Sequence, residues 1–294
     1  MPPPNHSRRA FIVGALAAGV AATATACGHT DPSATADASS TVGAPSSAPT
    51  SPVTTPSAAV PSTPTSAASS TTGQAAPASS STTAAGPPGP VTATFVDHAD
   101  NAGSNLALTF HTNGDLSLVQ QLADVLSSHH AVATCFIVGN WLEANPSWAK
   151  KLTDAGHELA NHTYTHPDFT TLTAATMATE ITKCRDVIRR LTGSGGRFFR
   201  PSGTDDGTAN PGPTIIDQAG KAGYPMVAGF DVDPFDYKDP GADAVRQRTL
   251  AAVHPGAIVS LHFGHPGTIA ALPAILDGIT AKGLTPVTMS RLLP

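Results

Sequence analysis

The chain has 294 residues, a formal net charge of -5 and a 40% hydrophobic composition, with 27 prolines, 26 glycines and three cysteines. It carries no basic cluster and no basic stripe interleaved with aromatic residues, which argues against nucleic acid as a partner. Aromatic and charged residues are concentrated in the segment 91–294, long enough for one sizeable core, so a single folded domain is expected there.

Residues 1–27 read as an export signal. The stretch "SRRAFIVGA", Ser7 to Ala15, sets paired arginines before an apolar run that ends at Ala26. That run is too short and too rich in alanine for a permanent membrane helix. The Ser-Arg-Arg-x-Phe pattern resembles a twin-arginine export signal, a route that carries folded proteins. That route allows a metal to be loaded before export and implies a fold that does not depend on an extracellular disulfide. "ATAC", Ala24 to Cys27, resembles a lipoprotein cleavage box with Cys27 as the lipidated residue, although Ala24 stands where Leu is usual. An ordinary secretory signal with an incidental cysteine is the alternative. The lipoprotein reading places the protein at the outer face of the cytoplasmic membrane, anchored by lipid and facing the cell wall.

Residues 28–90 are almost entirely Ser, Thr, Ala and Pro. They hold too few large apolar side chains to offset chain entropy, so a disordered tether is expected. Such a segment spans about 45 Å as a flexible coil and on the order of 190 Å when fully extended, enough to lift the domain into a surrounding wall.

From residue 91 short apolar runs alternate with amphipathic segments. In chain order the reading is strand 106–110, helix 116–129, strand 131–139, helix 141–155, strand 157–161, helix 172–192 and strand 197–200. It continues with helix 212–222, strand 225–230, helix 240–252, strand 257–262, helix 268–281 and strand 284–288. Gly156, Gly193, Gly223 and Gly283 follow four of the helical segments as stop signals. Seven strands alternating with helices predict a parallel α/β architecture, and runs apolar on both faces suit a barrel or a covered sheet. In barrels of that kind the chemistry sits at the C-terminal strand ends. Cys135, on a strand, and Cys184, on an outer helix, read as two separate buried thiols.

Polar residues gather at those strand ends. The first supplies His111, Thr112 and, four positions on, Asp115. The third supplies His162 and His166, whose spacing of four puts both imidazoles on one side of a helical turn, a pair suited to zinc, cobalt or nickel. Two histidines on a polar surface loop are the plain alternative. Arg200 precedes Pro201, placed to orient a carboxylate or to close the barrel rim with an ion pair. His262 follows an apolar strand as a candidate general acid or a hydrogen-bonded core histidine.

Together these segments resemble the polysaccharide deacetylase family, carbohydrate esterase family 4, over roughly residues 104–293. "GHELANHTYTHPDF", Gly156 to Phe169, is similar to its metal-binding segment, "FRPSG" to its Arg-Pro segment, "DVDPFDY" to its Asp-rich segment and "GAIVSLH" to the segment that supplies a catalytic histidine. The resemblance implies a distorted (β/α) barrel with about seven parallel strands, a divalent metal, zinc first, held by His162 and His166, and removal of N-acetyl groups from an amino-sugar polymer, with peptidoglycan as the candidate. It implies His262 as the acid, tuned by Asp233 or less readily by Asp236, and an oxyanion donor in the backbone just after Pro201. It places Gly203, Tyr237 and Leu261 beside the substrate, with Gly203 where the family usually has Tyr and Tyr237 where it has Trp. His265 is an extra histidine without an assigned role. The expected partners are the glycan polymer and the membrane through the lipid, with the protein as a monomer.

One segment departs from the family. The family reads Thr-Phe-Asp-Asp at the first strand end, a base followed by a metal ligand, where this chain reads Thr109-Phe110-His111-Thr112. Three repairs are open: His111 as the base, His111 as a third metal ligand, or Asp115 folding back as ligand or base. A glycan-binding module without catalysis and a hydrolase of another amide or ester are the competing functions.

Overall fold

The computed structural model describes residues 89–204 and 206–294. The expected export signal, Cys27 and the tether up to residue 88 lie outside the described residues. Among the described residues no helix is long and apolar enough to cross a membrane.

The domain alternates strands and helices as the periodicity predicts. The strands are β1 (Thr94–Val96), β2 (Asn105–Thr112), β3 (Thr134–Ile137), β4 (Glu158–Asn161), β5 (Phe198–Phe199), β6 (Met226–Ala228), β7 (Ile258–His262) and β8 (Thr285–Val287). The helices are α1 (Leu116–Ser128), α2 (Gly139–Ala144), α3 (Ser147–Asp154), α4 (Ala174–Thr192), α5 (Pro213–Lys221), α6 (Ala242–Ala252), α7 (Pro266–Ala281) and α8 (Met289–Leu292). Three features differ from the sequence reading, one being the short helix α8 after the last expected strand. The three-residue strand β1 precedes the first expected strand. The segment read as one helix over 141–155 is broken into α2 and α3 at Asn145-Pro146, where proline disfavours helical backbone in the residue before it.

The strand order is β1-β6-β5-β4-β3-β2-β7, with β8 also on β2, and every ladder is parallel. The sheet curls into a distorted (β/α) barrel. β5 contributes only two residues, and the seam between the two ends of the sheet is held by single bridges, Val232 to Val259 and His98 to Ala257. Alternation along β2 decides what faces where. Leu106, Leu108 and Phe110 pack outward with Val119, Leu122 and Leu126 of α1 and Leu272, Ile275 and Ile279 of α7. Each fully buried Leu or Phe contributes about 1.5–3 kcal/mol. Ala107 joins Phe136, Phe198 and Ile258 on the other face. Register then sets His111 of β2 opposite Phe136 of β3 on one side and His262 of β7 on the other.

Both domain cysteines are free and buried, as the sequence reading expects. Burial pushes the Cys135 thiol up to about 12 and raises that of Cys184 as well, so both stay protonated and unreactive.

Candidate active site

The loop after β4 is the most tightly built part of the site. Asn161 donates from Nδ2 to the Ile181 carbonyl (2.8 Å) and to the Tyr224 hydroxyl oxygen (2.9 Å), and its Oδ1 accepts the Thr163 N–H (2.9 Å). Thr163 and His166 both adopt left-handed backbone, with φ of 68° and 61°. The helical turn expected between His162 and His166 is therefore absent. Two left-handed residues reverse the chain and bring the imidazoles together without a helix, with ring centroids 4.9 Å apart. Glu180 of α4, which the sequence reading did not single out, holds this loop. Its carboxylate accepts from the Tyr164 N–H (2.8 Å), the Thr165 N–H (2.7 Å) and the Thr165 hydroxyl (2.9 Å).

His162 is buried, and its Nδ1 lies 2.9 Å from the carbonyl oxygen of Arg200. A carbonyl only accepts, so Nδ1 carries the hydrogen and Nε2 presents its lone pair. That Nε2 is buried and has no hydrogen-bond partner among the described residues. Candidate ligand atoms of His111, His162 and His166 all lie within 4.8 Å of one another. Burial, helped by the neighbouring histidines, holds His111 and His162 well below the ordinary imidazole value and lowers His166 as well. The cluster is a set of neutral imidazoles, the form in which histidine binds metal.

Arg200 stands behind His111. Its buried guanidinium donates to the Thr109 hydroxyl (2.9 Å), the Ala228 carbonyl (3.2 Å) and the Gly229 carbonyl (2.8 Å), and it sits 3.9 Å from the Phe136 ring centroid. It also donates to His111 Nε2 at 3.2 Å. Among the described residues it has no carboxylate partner within ion-pair distance, and burial pushes it down to about 9, with Asp233 acting against that shift. A neutral imidazole has one lone pair, so His111 accepts from Arg200 or ligates a metal, but not both at once.

His262 has the opposite backing. Asp236 is fully buried, lies 2.7 Å from His262 Nδ1 through Oδ1, and accepts the His262 N–H (2.8 Å) and the Thr268 hydroxyl (2.6 Å) through Oδ2. This corrects the expectation that Asp233 tunes His262. Phe235 adopts left-handed backbone (φ 56°), and the turn that follows sends Asp236 inward beneath the ring. Asp233 stays on the cavity wall, its Oδ1 accepting the Phe235 N–H (2.7 Å), and burial raises its carboxyl above the usual range.

His111, His162, His166, His262, Asp233 and Tyr237 line one cavity of about 150 Å³, with Pro201 and Gly203 on its wall. Gly203 has φ of 68°, and a Cβ there would meet the Asp168 Cα at 2.8 Å, which leaves no room for the family's usual tyrosine in this backbone.

Two expected site residues lie elsewhere. Asp115 is the N-cap of α1: its Oδ1 accepts the Ser117 N–H (2.8 Å) and hydroxyl (2.5 Å), and it is neither in the histidine cluster nor on the cavity wall. Capping the exposed N–H groups of α1 holds it there, so it is neither ligand nor base in this structure. Leu261 is fully buried in the outer core, because alternation along β7 turns Ser260 and His262 to the cavity and Leu261 away from it. His265, left without a role, pairs through Nδ1 with Asp239 (2.9 Å) at the rim.

Comparison with known proteins agrees with this fold. A family model described as "Polysaccharide deacetylase" matches residues 98–227. A chitooligosaccharide deacetylase of Bradyrhizobium is 33% identical over 182 residues, covering 60% of this chain and 79% of the relative. The peptidoglycan-N-acetylglucosamine deacetylase of Bacillus cereus is 29% identical over 193 residues, 63% of this chain and 67% of its own. The chain spans about half (53%) of the uncharacterized protein YlxY of Bacillus subtilis, at 30% identity and 60% coverage of this chain. Among solved structures, a CE4 family pseudoenzyme from Bacillus anthracis superposes with a TM-score of 0.61 at 26% identity, covering 69% of this chain and 70% of that one. A mutant of that protein, described as having restored enzymatic activity, superposes with a TM-score of 0.62.

Proposed function

The chain belongs to the polysaccharide deacetylase family, and on that premise we propose that its domain removes N-acetyl groups from an amino-sugar polymer of the cell envelope, with peptidoglycan as the substrate. The observation that carries the proposal is one cavity with neutral imidazoles on one wall and, on the other, a histidine backed by a buried carboxylate. The names of relatives that act on peptidoglycan N-acetylglucosamine and on chitooligosaccharides support the substrate class. The tether and Cys27 read from the sequence support a position beside the wall, with the protein taken as a lipid-anchored monomer.

The donor set fits a divalent metal, zinc first and cobalt or nickel next. The partnerless buried Nε2 of His162 and its fixed tautomer are what a ligand histidine requires. His162 and His166 would hold the ion, with His111 as third donor once it releases Arg200. When bound, such an ion supplies Lewis-acid polarisation of the acetamide carbonyl. The protein supplies the rest. His262 Nε2 gives a proton to the leaving amine, and Asp236 on Nδ1 stabilises the ring while it carries that proton. The backbone N–H after Pro201 donates to the carbonyl oxygen as it gains charge. Tyr237 and Phe230 wall the acetamide pocket, and the missing side chain at Gly203 leaves it open.

Incubation of the zinc-loaded protein with N-acetylglucosamine oligomers and with peptidoglycan tests the reading. Acetate and new primary amine are expected in equal amounts. Absence of acetate with zinc, cobalt and nickel alike overturns it, and release of another acid from another amide or ester redirects it. One observation favours a second reading, a glycan-binding module without turnover: neither His111 nor Thr112 supplies a carboxylate, and Arg200 is left without one. In that case peptidoglycan is bound and no acetate appears.

A further inference from the structure

The deacetylase reading leaves one role unfilled, the group that takes a proton from the attacking water. The cavity walls narrow the choice. Asp115 is committed to capping α1, and Asp236 is buried beneath His262 with both oxygens engaged. His111 is a poor acceptor, because a proton on its Nε2 would face the Arg200 guanidinium at 3.2 Å and set two cations against each other. Among the described residues lining the cavity, Asp233 is the only carboxylate.

We propose that Asp233 is the proton acceptor of the reaction, a catalytic residue that replaces the carboxylates absent from positions 111 and 112. Its geometry suits the task. The Phe235 N–H on Oδ1 fixes the side chain, and the second carboxylate oxygen has no hydrogen-bond partner among the described residues. The His162 cluster and His262 line the same cavity of about 150 Å³, so Asp233 borders the space in which an acetamide and its attacking water would sit. The charged groups around Asp233 are Asp236, His262, Lys238 and, more distantly, Arg200. Burial and Asp236 raise its carboxyl, while the Phe235 N–H, His262 and Lys238 oppose them, and the net upward direction makes it a stronger base than an exposed carboxylate.

The step balances without a further reagent. Asp233 takes one proton from water as the water oxygen bonds to the acetamide carbonyl carbon and the carbonyl π pair moves to its oxygen. On collapse that pair re-forms the carbonyl, the C–N bond breaks with its electrons on nitrogen, and His262 protonates the nitrogen. Acetic acid and the free amine leave, the acid passing its proton to the amine to give acetate and ammonium, and the proton on Asp233 returns to His262 through solvent.

The proposal rests on the deacetylase reading, and the test separates the two. Acetate release from N-acetylglucosamine oligomers is measured for the zinc-loaded full chain as wild type, Asp233→Asn and Asp233→Glu, from about pH 5 to about pH 9. Asp233→Asn is expected to lower kcat about 10²–10⁴-fold with KM and zinc content unchanged, to lose the acid limb of the wild-type profile and to regain part of its rate with added formate. Asp233→Glu keeps part of the activity. Where the Asn variant does not fold, Asp233→Ser, whose hydroxyl still accepts the Phe235 N–H, takes its place. Wild-type turnover with a folded variant within about threefold of it overturns Asp233 and leaves the deacetylase standing. No acetate from the wild type overturns both.

Discussion

Two strand ends face the same cavity as register neighbours, and each ends in a histidine, yet their surroundings are opposite. His111 of β2 is backed by the buried cation Arg200, and His262 of β7 by the buried carboxylate Asp236. The first ring is held neutral by burial, with the neighbouring histidines and Arg200 adding to the effect. The second has a buried carboxylate 2.7 Å from its Nδ1, which fixes the orientation of the ring. The residue behind an imidazole, more than the imidazole itself, decides which chemistry a strand end offers.

The comparison breaks most completely through the cluster that His111 belongs to. His162→Ala removes the imidazole of the cluster whose tautomer is fixed and whose buried lone pair is unpartnered among the described residues, so near-complete loss of bound zinc and of turnover is expected, read by elemental analysis and acetate release. Asp236→Asn attacks the other wall. It is expected to cut kcat about 10²–10⁴-fold while zinc content stays at the wild-type level, and equal kinetics in the two proteins would disprove the role of the His262 pair.

Giving the two ends the same kind of partner sharpens the contrast. His111→Asp with Thr112→Asp supplies Arg200 with a carboxylate partner, and a rise in turnover of about tenfold or more is expected, together with a higher thermal midpoint. A fall in both would show that the histidine end is already adapted. The lowered histidines also set a pH dependence. Their folded values lie below the ordinary 6.5, so the unfolded chain takes up protons first as pH falls. Their contribution to stability is complete above about pH 6.5 and is lost below it as pH falls through the folded values, so the urea midpoint of the metal-free protein drops on acidification and the drop shrinks in His162→Ala. The smallest effect belongs to Asp115. Asp115→Ala removes a helix cap and is expected to lower the thermal midpoint by about 2–4 °C without changing kcat.

Parts of this site were legible in the chain because they are local. The apolar runs that became β2, β4 and β7, the His162–His166 pair and the histidine closing β7 all stand out in short windows. Two misreadings were also local. An Asp directly before the first apolar residue of a helix is a cap signal, and Asp115 followed by Leu116 and Ser117 carries it. Alternation along "IVSLH" already turns Leu261 away from His262. Glu180 and Asp236 were not legible in that way. Their roles depend on the side-chain direction of residues 15–16 and 26 positions from their partners.

By itself the sequence determined the alternation of strands and helices, the family and the side chains offered at each strand end, because hydrophobic period and motif spacing are properties of neighbouring residues. Tertiary structure alone decided which aspartate serves His262, that Arg200 takes the one lone pair of His111 that a metal would need, and that Asp233 is the carboxylate left facing the cavity among the described residues. Those outcomes turn on the left-handed backbone at Phe235, Thr163 and His166 and on a cation buried across the barrel, and both arise only when distant segments pack together.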